Sequence, residues 1–412
     1  MFCVMSRRVV FLHVGAPKTG TTYLQRIFFA NRGLLASRGV FVPGSRPLHH
    51  FRAGYDLRGV QQEPGHPAPS WDGAWDAMVE KIRKSGRKIA VVSDERLAAC
   101  TVEEVERAVS SFEFADVHVI YATREPAGLL SAEWQEHVKH GDRRTFDRWL
   151  ADTLGSRGKG WYWQVHGVGD VLRRWGSAVP SSQMHVMTLP QRDADPDLLW
   201  HRFCSVLGIS PDDVDTDVQS NVSLGVEGAE VLRRANELMP VDFPEWHRIG
   251  VTREILAHSI LAPRGEKTSI RVPEQWGEEV ERYAEQLISD IKDCGCEIVG
   301  DLNELRGVNT QRDDAFTSSD LVPAAVDGIA GLMLHISELH DDLRKTRGEL
   351  AEERKRRQTK ERMAARAWAS LREHRNLPPR ERVKRCVVEL GEQSRVVGRM
   401  LDVYRKLHPH KD

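Results

Sequence analysis

The sequence predicts an α/β fold: a parallel sheet flanked by helices, followed by a C-terminal helical tail. Three observations predict it. Short apolar, β-branched runs alternate with amphipathic helical patterns through the first half of the chain, as β-α-β crossovers require. A glycine-bracketed loop joins the first apolar run to the first helical pattern. From Asn303 the alternation gives way to a polar stretch and then to a heptad-like repeat.

Val9 to Val14 is a short apolar run of the length and branching of a buried strand, and Gly15 to Gly20 is a loop. Thr21 to about Arg32 is helical, with Leu24, Ile27 and Phe28 on one side and Gly33 as the expected stop. Val40 to Val42 is a strand. Gly44 to Ser70, rich in Gly, Pro and His, is mainly loop with a short helix near Phe51 to Leu57. A helix over Trp71 to Lys84 follows, then a strand at Ile89 to Val92, a helix at Glu103 to Ser110 and a strand at Val117 to Ala122. Ala127 to His140 is a helix, since Leu130, Trp134 and Val138 recur every four residues. A helix at Val168 to Trp175, a strand at Met184 to Leu189 and a helix near Pro196 to Leu207 continue the alternation. Trp276, Val280, Tyr283, Leu287 and Ile291 mark one further helix that packs on the core.

Asn303 to Ser319 has a linker's composition. Beyond it Ile329, Leu332, Ile336, Leu339, Leu343 and Leu350 follow alternating steps of three and four, with Thr346 the polar occupant. That pattern fits either a coiled coil that assembles copies of the chain or an amphipathic helix packed on its own domain. Glu352 to Arg366, with seven basic and three acidic residues, is a solvated helix face, and Asn376-Leu377-Pro378-Pro379 breaks the helix. The expected division is an α/β domain over 1–307, a linker over 308–320 and a helical tail over 321–412.

Composition narrows the function classes. The 412 residues carry 59 basic and 60 acidic side chains, a net charge of -1, with a pI near 7.0. Nothing here matches the basic excess of a dedicated nucleic-acid binder. A hydrophobic fraction of 40% suffices for a core. Six scattered cysteines are too few for a disulfide scaffold, and Cys294 and Cys296 are too isolated to make a metal site alone. No apolar run approaches the ~20 residues of a membrane span. The N-terminal Met1 to Lys18 lacks the order of a signal peptide, so a cytoplasmic chain is expected.

The chemistry concentrates in Gly15-Ala16-Pro17-Lys18-Thr19-Gly20-Thr21-Thr22. Between a buried strand and a helix, such a loop converges backbone N–H groups on an anion, and the helix N-terminus adds a positive field. Against G-x-x-x-x-G-K-[ST], the two glycines and Thr22 fit, but Thr21 stands where lysine belongs and the lysine is Lys18. The loop is therefore P-loop-like, with its cation inside the loop.

Pro17 to Thr22 resembles the 5′-phosphosulfate loop, Pro-Lys-Ser/Thr-Gly-Thr-Thr, of the sulfotransferases that use 3′-phosphoadenosine-5′-phosphosulfate (PAPS). The resemblance implies a P-loop-like α/β sheet in which Thr19, Gly20, Thr21 and Thr22 hold the 5′-phosphate. Lys18 would contact the oxygen bridging phosphorus and sulfur, where charge grows on the leaving group. The family's 3′-phosphate site is an arginine at a strand end and a serine in the following helix, matched by Arg124 and Ser131. Here the two are seven positions apart where the family has eight, and Ala132 holds the expected place. Arg264-Gly265 is similar to the family's late basic-glycine segment, which closes over the 3′-phosphate. The following Glu133 to His140 also resembles a bacterial branch of the family. The resemblance covers roughly residues 8 to 306.

Sulfuryl transfer needs a base for the acceptor's proton. His50 and His49 lie near the place where carbohydrate-type members carry a catalytic glutamate. Glu95, beside Ser93-Asp94, follows the strand after which the small-molecule members carry a catalytic histidine. His50 is the leading candidate, then His49, then Glu95, with histidine favoured for titrating near neutrality. No metal is expected, since Lys18 and the loop donors face the leaving group. The acceptor would be a hydroxyl or amine of a carbohydrate, lipid or small molecule. Trp71, Trp75, Trp161, Tyr162 and Trp163 are either its pocket or core. The competing readings are a kinase-like nucleotide-dependent transferase using Mg-ATP and a non-catalytic interaction protein.

Overall fold

The computed structural model describes residues 7–62, 70–191, 193–218, 223–265, 267–307, 310–311, 317–373, 378–394, 398–400, 402–403 and 406. Cys3, Glu266, the Asn376-Leu377 break and parts of the linker and of the Gly44 to Ser70 loop lie outside these residues.

Among the described residues the strands are β1 (Arg8–Gly15), β2 (Val40–Phe41), β3 (Ile89–Ser93), β4 (Ala115–Thr123), β5 (Met184–Thr188), β6 (Val272–Pro273), β7 (Glu297–Val299) and β8 (Thr310–Gln311). Six form one sheet in the order β2-β3-β1-β4-β5-β7, and β6 pairs with β8 apart from it. Every pairing in the six-stranded sheet is parallel, with Val10 opposite Ala90 and Val117, and Tyr121 opposite Val186. Both faces of this sheet are covered. Val10, Leu12, Val14, Val92, Val119 and Tyr121 point into one core; Phe11, Val91, Ile120, Ala122 and Met187 point into another beneath helices Thr21–Ala30 and Leu198–Leu207. This double burial explains the nearly continuous apolar runs of the sequence. Burying a side chain such as Leu12 contributes about 1.5–3 kcal/mol.

Several boundaries follow local chemistry that apolar periodicity does not register. The first helix ends at Ala30, and a second one, Arg32–Ser37, runs through Gly33, so that glycine is not the stop. His49 and His50 lie in helix Pro47–Leu57, where a loop was expected. Pro47 is preorganised for a first helical turn, and the His49 ring accepts from the backbone N–H of Ser45 and Arg46 at 3.3 Å. Helix Phe146–Gly155 was overlooked although Phe146, Trp149, Leu150 and Leu154 recur at helical spacing, whereas the short helix Gly160–His166 and strand β7 carry no clear periodic signal. β8 sits within the linker-like stretch.

A first compact unit extends to Leu332, with Leu321 and Ala324 buried in it. A second unit comprises Met333 onward. Helix Val322–Glu373 is 52 residues long. An 18-residue window of it is apolar enough, by length and composition, to cross a membrane. Asp327 and His335 interrupt this part of the helix, so it holds no unbroken apolar run.

Candidate functional site

The C-terminal ends of β1, β3 and β4 open onto a cavity of about 610 Å³. In parallel sheets this edge is where ligands bind, because the following helices point their N-termini at it. The loop after β1 turns into helix Thr21–Ala30 at Gly20, whose φ of 84° is left-handed. A Cβ at Gly20 would also press on the tip of the Leu199 side chain, but it is the left-handed φ that favours glycine there. Lys18 takes a left-handed φ of 61°, unusual for a residue with a side chain. The Thr19 hydroxyl is buried and donates to the Ala16 carbonyl at 2.6 Å, which closes the loop on itself. Pro17 is buried as well. Lys18, Gly20, Thr21 and Thr22 line the cavity.

Arg124 follows β4 and lines the same cavity. Its Nη1 donates to the Lys18 carbonyl at 3.4 Å, and Nη2 and Nε both reach the Glu125 carboxylate. Ser131 lines the wall too, its hydroxyl donating to the Ala127 carbonyl at 2.9 Å. Glu95 completes this wall and accepts a hydrogen bond from the Thr21 hydroxyl.

Helix Pro126–Lys139 contributes a face that sequence reasoning missed. Gly128, Ser131, Ala132, Gln135, Glu136 and Lys139 all line the cavity. They recur at steps of three, one, three, one and three, one stripe of an α-helix. Leu130, Trp134 and Val138 form the opposite, core stripe that located the helix in the sequence. The polar stripe was equally legible there.

Glu136 is the hub. Its Oε2 lies 2.8 Å from Lys18 Nζ and 3.3 Å from Lys139 Nζ; its Oε1 lies 3.4 Å from His140 Nε2 and 3.7 Å from Arg253 Nε. Burial alone would raise the Glu136 carboxyl, but the hydrogen bond from His140 and the charges of Lys18 and Lys139 hold it far below the usual carboxylate range. Burial lowers the Lys18 ammonium, yet Glu136, Glu133 and Glu95 outweigh it and raise Lys18 above the ordinary lysine value. Lys139 goes the other way: burial and neighbouring Lys18 lower it despite Glu136.

Arg253 and His258 enter from a π-helix, Arg248–Leu261, five residues apart and hence aligned on one face. Nothing in the sequence announced that helix. Lys267 lines the cavity with Nζ donating to the Ala262 carbonyl at 2.6 Å and the Ser223 carbonyl at 3.2 Å. Five basic side chains (Lys18, Arg124, Lys139, Arg253 and Lys267) thus face two carboxylates, Glu95 and Glu136. Together with the loop, that donor set suits an anion carrying several charges.

The other sequence candidates lie elsewhere. His50 is buried outside the cavity lining. Its Nδ1 accepts from the Ser93 N–H at 3.1 Å, so its Nε2–H donates to the Pro43 carbonyl at 2.8 Å. Both ring nitrogens are committed to backbone, and burial lowers its pKa. His49 lines a separate hollow with Arg52, Asp72 and Lys81. Arg264 pairs with Asp327 at 2.8 Å, and exposed Gly265 is likewise absent from the cavity lining; Lys267, three residues past Arg264, is the basic residue of that segment on the wall. Trp75, Tyr162 and Trp163 are core, while Trp71 and the more exposed Trp161 do not line the cavity. Cys294 and Cys296 are joined as a disulfide across a single residue. Among the described residues no cluster of His, Cys, Asp and Glu is placed to hold a metal ion.

No family model and no curated protein matches the chain. Over about half its length the chain is similar in structure to solved sulfotransferases. The sulfotransferase from Alicyclobacillus acidocaldarius aligns over 51% of this chain and 85% of its own, at 20% identity and a TM-score of 0.35. The sulfotransferase domain from the curacin biosynthetic pathway aligns over 59% of this chain and 95% of its own, at 13% identity and a TM-score of 0.28.

Proposed function

We propose that this chain is a sulfotransferase that moves the sulfuryl group of PAPS to a hydroxyl or amine by in-line displacement. One observation carries the reading. The Pro17 to Thr22 loop and Arg124, 106 positions apart in sequence, meet at one cation-rich cavity, with Arg124 Nη1 3.4 Å from the Lys18 carbonyl. In this reading the loop N–H groups and the hydroxyls of Thr21 and Thr22 hold the 5′-phosphate. Arg124 holds the 3′-phosphate, with Ser131 turning its hydroxyl from Ala127 to join it. The acceptor oxygen or nitrogen attacks sulfur, and the bond from sulfur to the bridging oxygen breaks. The electron pair goes to that oxygen, where Lys18 stabilises the growing charge.

Glu95 takes the acceptor's proton. Its placement supports this role, since it stands on the cavity wall beside Thr21, while His50 has no nitrogen free and His49 faces another hollow. No metal has a part in this scheme. The acceptor is a carbohydrate, lipid or small molecule.

The test is calorimetry with 3′-phosphoadenosine-5′-phosphate, the product nucleotide, against AMP. Tight binding of the first and much weaker binding of the second is expected. Equal affinity for both, or a preference for Mg-ATP, defeats the proposal. Incubation with labelled PAPS and a cell extract then identifies the sulfated acceptor.

A further inference from the structure

We infer that the long C-terminal helix is one strand of a parallel, in-register, two-stranded coiled coil, so that the partner on its apolar face is a second copy of this chain. The inference is independent of what the cavity binds. Ile329, Ile336, Leu339, Leu343 and Leu350 lie on helix Val322–Glu373 with 47% to 62% of their surface exposed. Among the described residues these five side chains stay about half exposed or more, which is costly for residues of this kind in water.

The identity of the cover is written in the heptad. Taking Ile329, Ile336, Leu343 and Leu350 as a positions places Leu332, Leu339 and Thr346 at d. Isoleucine at a with leucine at d, as in the first two heptads, favours two parallel strands. The flanking g and e positions then decide orientation. In a parallel pair each g side chain faces the e side chain five residues further along its partner. Asp342 thereby meets Arg347, Glu349 meets Arg354 and Arg356 meets Glu361. All three are opposite in sign. An antiparallel pair brings g to g and e to e, which sets acid on acid and arginine on arginine in the registers that pair Asp342, Glu349, Arg347 and Arg354 among themselves. Among the described residues Asp342, Arg347, Glu349 and Arg354 make no ion pair within the chain. A membrane could take only the apolar stretch before these charges, because that window holds at most two charged residues, and it would leave Leu343 and Leu350 uncovered.

Sedimentation equilibrium of the full chain tests this. A species of twice the 46.7 kDa chain mass is expected. Leu339→Asp/Leu343→Asp should give the single-chain mass, with the circular dichroism of the α/β domain retained. Arg347→Glu/Arg354→Glu, and separately Asp342→Lys/Glu349→Lys, should each weaken self-association by about tenfold or more. An equimolar mixture of these two variants should regain the wild-type affinity as a heterodimer. A monomeric wild type overturns the inference, as does a trimer or tetramer. Indifference to both charge variants overturns the parallel orientation. Co-sedimentation of a monomeric wild type with phosphatidylcholine-phosphatidylglycerol vesicles, lost in Leu339→Asp/Leu343→Asp, assigns the face to a membrane instead.

Discussion

Lys18 Nζ lies 2.8 Å from Oε2 of Glu136, so the cation of the anion-binding loop is held by a carboxylate from the helix after β4. Lys139, His140 and Arg253 lean on the same carboxylate. Glu136→Gln should leave these cations to repel one another and cost about 2–4 kcal/mol of stability in the ligand-free chain. Thermal unfolding would register the loss, and added 3′-phosphoadenosine-5′-phosphate or pyrophosphate should restore most of it. No loss of stability, or no rescue by these anions, would show that the cluster is not anion-responsive. The pH dependence has a definite sign. The folded carboxyl lies far below its ordinary value of 4.5, so its contribution is full above about that pH and shrinks as pH falls below it. The stability gap between wild type and Glu136→Gln, measured by urea unfolding, should narrow steadily from about pH 5 downward.

Lys18→Ala should lower turnover by about 10²–10³-fold while weakening binding of the product nucleotide far less. Its proposed role is to stabilise charge that appears in the transition state. Single-turnover rates beside calorimetric affinities separate the two effects. An equal loss in both would make Lys18 a simple binding cation.

Arg124→Ala should erase the preference for the 3′-phosphate. Affinity for 3′-phosphoadenosine-5′-phosphate should fall by about 10–100-fold, the loss of one or two charge-assisted hydrogen bonds. Affinity for AMP should hardly move. A parallel loss for both nucleotides would relocate Arg124 to the 5′ side.

Glu95→Gln and His50→Asn divide the candidates for the base. Glu95→Gln should cost about 10²–10⁴-fold in turnover with little change in nucleotide affinity. His50→Asn should destabilise the fold by about 1–3 kcal/mol, because buried partners at Ser93 and Pro43 lose their hydrogen bonds. Its turnover per folded molecule should stay close to wild type. The reverse pattern would return the role to His50.

Much of the fold was legible because burial on both faces of a parallel sheet forces apolar, branched residues into short runs. β1, β3, β4 and β5 match such runs to within two residues. β7 was missed since Glu297, Ile298 and Val299 at the sheet edge are exposed or half-buried and give no apolar run. Helix Pro47–Leu57 was placed too late because a proline start and a histidine cap define its first turn. The π-helix bearing Arg253 and His258 was invisible, its five-residue alignment being foreign to the periods that mark α-helices and strands.

By itself the sequence determined the parallel α/β sheet, the strand-loop-helix of Lys18 and the arginine at the end of β4. Each rests on local chemistry: a run, a glycine spacing, a strand end. The tertiary structure alone decided which distant side chains share a cavity. It brought Glu95 to the wall, turned both nitrogens of His50 to backbone, replaced Arg264 with Lys267 and set Glu136 against Lys18. Strand order and helix rotation fix those distances. They depend on how every apolar face in the chain is buried at once, and no short window of sequence encodes that sum.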